Sequence, residues 1–292
     1  MKLNGSGVFY GVSAYVIWGL LPIYWRWLEQ ASAFEILSHR AVWSLIFCIL
    51  FLAFQKQLIK TFKLITNFRT LSLLALTSLL LSLNWGIYIW AVSVDRVVEA
   101  ALGYYITPLV AVSFGVFALK EKLRNMQLIS VVLAGIGVLV LTIAYGHLPL
   151  VAIGLAISWG SYSLIKKQLN AGALETLSVE TIIAFIPSSI YLSYLLKNND
   201  AQFGEELGFS LALVSTGLMT VIPLLFFNAA TTRLPLTITG LLQYITPSIM
   251  FIIGIVVFHE PLQLVKIVGF LFIWIALAIL GRDLYKSGGS IN

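Results

Sequence analysis

Charge is what this sequence has least of. Only 10% of its 292 residues are Asp, Glu, Lys or Arg, whereas 60% are apolar. A soluble domain carries about 25% charged residues, so this chain could not cover a water-facing surface. That excludes a soluble globular enzyme, and the apolar excess excludes an intrinsically disordered chain. Cysteine is almost absent: Cys48 stands alone in an apolar stretch, so there is no disulfide framework, no CxxC and no Cys/His metal site. The three aspartates, Asp95, Asp200 and Asp283, lie at the ends of apolar stretches or between them. An intramembrane enzyme would need an Asp pair, a Ser/His dyad or an acidic metal cluster within those stretches. No Asp-Asp pair occurs, and Gly160-Ser161 lacks the second glycine of a nucleophile elbow. His39 and Ser44 share a stretch but are five apart, off one another's helical face. A Walker-type ATP site is missing too, so an ATP-driven pump is excluded unless a separate subunit powers it. Accordingly no catalytic residue, metal or cofactor is expected.

What is present is a series of long apolar runs, with a mean hydropathy of +0.97. Ten runs read as membrane spans: 5–28, 33–54, 70–94, 96–118, 123–144, 148–169, 174–196, 208–232, 236–258 and 263–285. Each approaches the ~20 residues a helix needs to cross a bilayer. The first thirty residues lack a short apolar run with a small-x-small cut site, so 5–28 reads as a span rather than a cleaved signal. Connections at Asp95, at Pro235 and around Gly146–His147 are tight hairpins. The longest loops, Gln55–Arg69 and Lys197–Leu207, are too short for a soluble domain. The fold class is therefore all-α, a polytopic membrane bundle.

The net charge of +6 sorts by side. Alternate loops, counted from the N-terminus, hold Lys2; Lys56, Lys60, Lys63 and Arg69; Lys120, Lys122 and Arg124; Lys166 and Lys167; Arg233; Arg282 and Lys286, 13 in all. The opposite loops hold 4: Arg26, Arg96, Lys197 and Lys266. Short loops rich in Lys and Arg stay in the cytoplasm, which puts both termini there. The basic surplus is topological, and a nucleic-acid partner loses its support. The acidic segment Asp200–Glu206 reads as a solvated outer loop.

The chain also repeats itself. Tyr105-Ile-Thr-Pro108 recurs as Tyr244-Ile-Thr-Pro247, and Glu121 and Glu260 follow at the same distance. Trp18-Gly19 matches Trp159-Gly160, and Glu35-Ile-Leu-Ser38 matches Glu175-Thr-Leu-Ser178, all at offsets of 139 to 141. Two copies of a five-span unit, 1–146 and 147–292, follow. Five is odd, so the second copy crosses the membrane inverted. Inverted repeats mark secondary transporters, whose sites lie between the halves near the midplane.

At these residues the chain resembles the RarD-type members of the EamA family, in the drug/metabolite transporter superfamily. The resemblance rests on Ala14-Tyr-x-x-Trp18-Gly-Leu-x-Pro22, Glu35-x-x-x-His39-Arg40-x-x-Trp43-Ser44 and Asn84-Trp85-x-x-Tyr88-Ile-Trp90-Ala-Val92. It continues through Glu99-Ala-x-Leu-Gly103-Tyr104-Tyr105-Ile-x-Pro108, Glu121, Gln127, Gly240-x-Leu-Gln243-Tyr244-Ile-x-Pro247, Glu260-Pro261 and Ile273-Trp274. Ser93 and Thr107 depart from the asparagine expected there. The resemblance implies two EamA repeats, a bacterial inner-membrane location, and export of small metabolites or drugs. Members are often labelled chloramphenicol-sensitivity proteins, which fixes no substrate.

Charges inside spans are costly and mark function by default. Glu35 and Glu175 stand at span entrances and read as structural. Arg40 lies deeper, its repeat equivalent is Glu180, and pairing with Glu99 is the expectation; a substrate carboxylate is the alternative partner. His39 adjoins Arg40, but neighbours on a helix point ~100° apart, so both cannot face one cavity. His39 is a candidate proton relay; His147 and His259 lie near loops. Trp85, Tyr88, Tyr104, Tyr105, Trp159, Tyr162 and Tyr244 lie away from the interfaces and favour a shared cavity that stacks a flat solute. Trp25 and Trp27 read as interfacial belt residues.

The site is expected at the two Tyr-Ile-Thr-Pro segments. Each proline displaces the carbonyl four residues earlier, at Tyr104 and Gln243. A carbonyl freed in hydrocarbon needs a partner, so Pro108 and Pro247 would open two polar gaps at mid-membrane. Tyr104, Gln243, Asn84, Trp85, Tyr88, Tyr105 and Tyr244 are the candidate substrate contacts. The expected activity is alternating-access export of a small solute, amino-acid-like or aromatic, with a channel-like facilitator as the rival. The bilayer is the other partner, and the oligomeric state is left open.

Overall fold

The computed structural model describes residues 5–94, 96–169, 171–259 and 264–288. Every regular element among them is helical: α1 (Gly5–Trp25), extended by a 3-10 turn at Arg26–Leu28, α2 (Ala33–Phe54), α3 (Leu58–Thr66) and α4 (Phe68–Ser93). Then come α5 (Val97–Phe117), α6 (Asn125–Tyr145), α7 (Leu150–Gln168) and α8 (Ala173–Asn198). The chain closes with α9 (Leu207–Arg233), α10 (Leu236–Leu242), α11 (Ile245–Val256) and α12 (Leu264–Gly288). Lys2, Asp95 and its hairpin, Glu260-Pro261 and the Ser93 side chain lie outside what is described.

Local chemistry explains the boundaries. Ser32 stands in extended conformation before α2, and its hydroxyl accepts the Glu35 amide at 3.2 Å, one of the orphan donors of a helix start. Gln127 reaches back from the first turn of α6 to accept the Arg124 amide at 3.0 Å. Gly146, with φ of 88°, ends α6 in the left-handed conformation that glycine adopts at no steric cost.

Nine segments among the described residues are long and apolar enough to cross a membrane. Helix α7 is the tenth; it falls short in apolarity because it carries Ser158, Ser161, Ser163, Lys166 and Lys167. It sits among α4, α5 and α9, so its polar side chains meet protein rather than lipid. The ten-span reading thus stands, with two corrections. The stretch 55–69 is not a plain loop: it folds into α3, an amphipathic helix with Ile59 and Phe62 exposed and Thr61 buried. Span 236–258 is not one helix, because it breaks at Gln243–Tyr244 into α10 and α11.

Packing follows the two-copy pattern. The first helix of copy one, α1, packs on α9 and on α10–α11; its counterpart α7 packs on α4 and α5. Three further pairs, α2 with α8, α5 with α10 and α6 with α12, join equivalent helices of the two copies, and α2 also packs on α9. The halves are thus interlocked rather than side by side. The α5–α10 crossing is close: a Cβ on Gly240 would stand 2.9 Å from Ala111 Cβ and 3.0 Å from the Pro108 carbonyl oxygen. Only glycine allows this approach.

Candidate functional site

Arg40 points into a narrow cavity of about 20 Å³, room for about one water, between α2, α4, α8 and α9, lined by Ser44, Ser78, Trp85, Glu180, Thr181 and Thr220 among others. Seven residues after Ala33, it lies about 10 Å along the helix from the start of α2. Its Nε donates to Thr220 Oγ1 at 3.0 Å, midway along α9. Thr220 can accept because its own proton goes to the Thr216 carbonyl at 2.8 Å. The guanidinium carbon lies 4.5 Å from the centroid of the Trp85 ring and 5.1 Å from that of Trp25. The hydroxyls of Tyr24, Tyr88 and Tyr104 are near enough to interact with it electrostatically. Tyr88 and Tyr104 pack edge to face at 6.3 Å.

The expected partner is elsewhere. Glu99 accepts from Arg96 at 2.6 Å, from the Tyr145 hydroxyl at 3.1 Å and from the Val151 amide in the first turn of α7 at 2.7 Å. Arg96 is three residues before Glu99, so the pair is local and the Arg40–Glu99 pairing is corrected. Glu99 caps α7 by offering a carboxylate to a helix N-terminus. Two other carboxylates also accept backbone amides, Glu121 at a helix start and Glu35 from the loop before α9. Glu121 accepts the Leu236 and Thr237 amides of α10 at 2.7 and 2.9 Å, and Glu35 accepts the Gln202 and Phe203 amides at 2.8 and 3.3 Å. Among the described residues no carboxylate forms an ion pair with Arg40.

Glu180 occupies the equivalent step in α8 and is fully satisfied. Its Oε1 accepts from Lys166 Nζ at 3.1 Å and Thr77 Oγ1 at 2.5 Å, and its Oε2 accepts from Tyr162 at 3.4 Å. Lys166 also donates to Thr176 Oγ1 at 2.7 Å. Both charged side chains are 3% exposed or less. Lys166 is therefore not a loop cation, and the sidedness argument loses that residue while keeping its sign. The cavity has one compensated charge pair and one uncompensated cation.

The aromatic residues divide into separate groups. Trp85, Tyr88 and Tyr104 gather around Arg40. Trp159, Tyr162, Trp18 and Phe227 form a second cluster, with Trp159 centred 5.4 Å from Trp18 and 5.3 Å from Phe227. Tyr105 turns the other way, onto Phe270 of α12 at 5.4 Å, so a single shared cavity is corrected. Asn84 bridges α4 to α7, its amide donating to the Leu155 carbonyl and Ser158 Oγ, both at 2.9 Å. His39 faces away from Arg40, as expected for helix neighbours. Its Nδ1 accepts from Trp43 Nε1 at 3.2 Å, its ring lies 4.9 Å from Phe203, and it lines another cavity of about 180 Å³.

The two proline segments behave differently. Helix α5 runs unbroken through Pro108, whereas the second copy breaks before Pro247. There the Gln243 carbonyl accepts the Thr246 amide at 3.1 Å, so the turn satisfies it and no open carbonyl results. Tyr15 ties α1 to both sides of the break: its hydroxyl donates to the Thr239 carbonyl and its carbonyl accepts from Thr246 Oγ1, both at 2.9 Å. Nearby, the Tyr244 hydroxyl, Trp159 Nε1 and the Asn228 amide are buried without hydrogen-bond partners among the described residues. Buried polar atoms are normally paired, and a polar molecule entering the interior would find its partners here. Sequence reasoning missed Thr220, Asn228, Lys166 and the role of Trp25. Thr220 carries no motif; Lys166 and Trp25 gave signals that also suit a membrane edge.

Residues 5–143 and 148–282 each match the EamA-like transporter family. The chain belongs to that family. Within it, the RarD proteins are similar over nearly the whole length. Protein RarD of Streptomyces exfoliatus is 43% identical over 283 residues, covering 97% of this chain and 90% of its own length. The RarD protein of Escherichia coli is 37% identical, covering 97% and 96%. YojE of Bacillus subtilis, an uncharacterized transporter, is 42% identical, covering 94% and 93%. A crystal structure only 16% identical superposes with a TM-score of 0.74 over 98% of this chain and all of the other, a likeness of fold. This chain is thus a RarD-type, multi-pass EamA membrane transporter.

Proposed function

We propose that the protein is a secondary transporter that exports small organic solutes by alternating access. The observation that carries the reading is the Arg40 cavity. Its walls come from both copies, α2 and α4 from the first and α8 and α9 from the second. A site at the boundary between inverted repeats opens to alternate sides when one copy rocks against the other. The unpartnered polar groups by the α10–α11 break belong to α7, α9 and the break itself, where the copies also meet. Trp85, Tyr88 and Tyr104 contact the solute, whereas Asn84 and Tyr105 serve packing. Gln243, Tyr244, Pro108 and Pro247 belong to the helices that move. The copies divide at 146/147, the membrane is the bacterial inner membrane, and both termini are cytoplasmic.

Counterflow in proteoliposomes tests this. A carrier loaded with unlabelled solute accelerates entry of labelled solute from the other side. Flux without saturation or trans-stimulation would mean a channel-like facilitator instead.

A further inference from the structure

Arg40 poses a problem of charge. An uncompensated cation at membrane depth is unfavourable, and the two tryptophan faces offset only part of that. Its Nε is spent on Thr220, which fixes the guanidinium plane. No carboxylate among the described residues pairs with it. The other charges of the cavity cancel, because Glu180 is held by Lys166. The cavity therefore carries one net positive charge, beside indole faces and tyrosine rings.

We infer that the Arg40 cavity, narrow in this state and widened when the copies rock apart, takes a small organic anion with one carboxylate and a flat apolar body, and not a zwitterion or a cation. The inference rests on the transport reading above and names its substrate class. The carboxylate accepts from the guanidinium, the group whose fork matches it best. The flat body lies against Trp85, the aromatic side chain of the cavity wall. A zwitterion would bring an ammonium toward Arg40 and toward a Glu180 that already has its cation. The discrimination is one of net charge on an otherwise constant skeleton.

The test uses the full chain in phosphatidylcholine nanodiscs and calorimetric binding of four probes with one skeleton: 3-phenylpropionate, phenylalanine, 3-phenylpropanamide and 2-phenylethylammonium. The expected order puts 3-phenylpropionate about tenfold or more ahead of the amide and of phenylalanine, the worth of a charge-assisted hydrogen bond. Arg40→Gln should erase the preference, and Arg40→Lys should keep the order with weaker binding. Equal affinities in the unmodified protein, or no binding of 3-phenylpropionate, would overturn the inference whether or not a variant folds. So would an Arg40→Gln protein that unfolds normally and keeps the preference. Glycerol 3-phosphate binding as well as 3-phenylpropionate would assign Arg40 to a lipid headgroup and overturn it too. Flux separates the two levels. Selective binding of the carboxylate without its transport sinks the transporter reading alone, and saturable counterflow of the amide that survives Arg40→Gln sinks the substrate class alone.

Discussion

The buried pair Lys166–Glu180 gives the sharpest energetic prediction. At 3.1 Å the two charges attract by ~5 kcal/mol at an effective dielectric of about 20. Removing two ions from water costs several kcal/mol each, so the net contribution of the pair is small. The cost of breaking it is not. Lys166→Met leaves a carboxylate in the interior, and loss of one partner from a buried pair is worth about 3–5 kcal/mol. The lower end applies here, because Thr77 and Tyr162 still donate to Glu180. Thr176 is unharmed, since its hydroxyl still reaches the Gly172 carbonyl at 3.0 Å. Lys166→Met with Glu180→Gln removes both charges, keeps an acceptor oxygen for Thr77 while the new amide N–H donates to the Tyr162 hydroxyl, and should return to within about 1 kcal/mol of the parent protein. Unfolding in mixed micelles, followed by tryptophan fluorescence, gives both singles and the double as a mutant cycle. Additive losses, or a Lys166→Met protein as stable as the parent, would refute the reasoning.

Four further outcomes are expected. Gly240→Ala should destabilise by about 1–3 kcal/mol through overpacking at the α5–α10 crossing, whereas Gly135→Ala, where a new Cβ meets nothing within 4 Å, should be neutral or stabilising in the same unfolding assay. Glu99→Ala should destabilise by about 2–3 kcal/mol, the loss of charge-assisted bonds to Arg96 and Val151; charge reversal together with Arg40 should not rescue it, and rescue would restore the discarded pairing. Reporter fusions should place Lys56–Arg69 in the cytoplasm, and an external signal there would overturn the orientation. Tyr104→Phe should alter affinity for the transported solute at constant expression, and Gln243→Leu should change turnover more than affinity; unchanged transport in both would remove these residues from the site and its moving helix.

The spans were legible because hydrocarbon thickness imposes a length, and helix ends such as Ser32 and Gly146 carry their own chemistry. What stayed hidden was decided between helices. Helix α3 reads as a loop because nine residues with lysines among the apolar positions give no span signal. Lys166 reads as a loop cation because a charge near a helix end looks the same whether it meets water or Glu180. The Arg96–Glu99 pair has a sequence signature, since residues three apart share a helix face, but the same carboxylate also stands at a depth that suits Arg40 across the bundle. The repeat itself carried the most information and the least about the site. It made Arg40 and Glu180 equivalent in position, and the structure keeps that equivalence while breaking it chemically. Glu180 acquired Lys166 from the neighbouring helix α7; Arg40 received Thr220 and two indole rings. A duplicated fold with perfect internal pairing would have no charge left for a solute. The place where the two copies stop matching is where one remains.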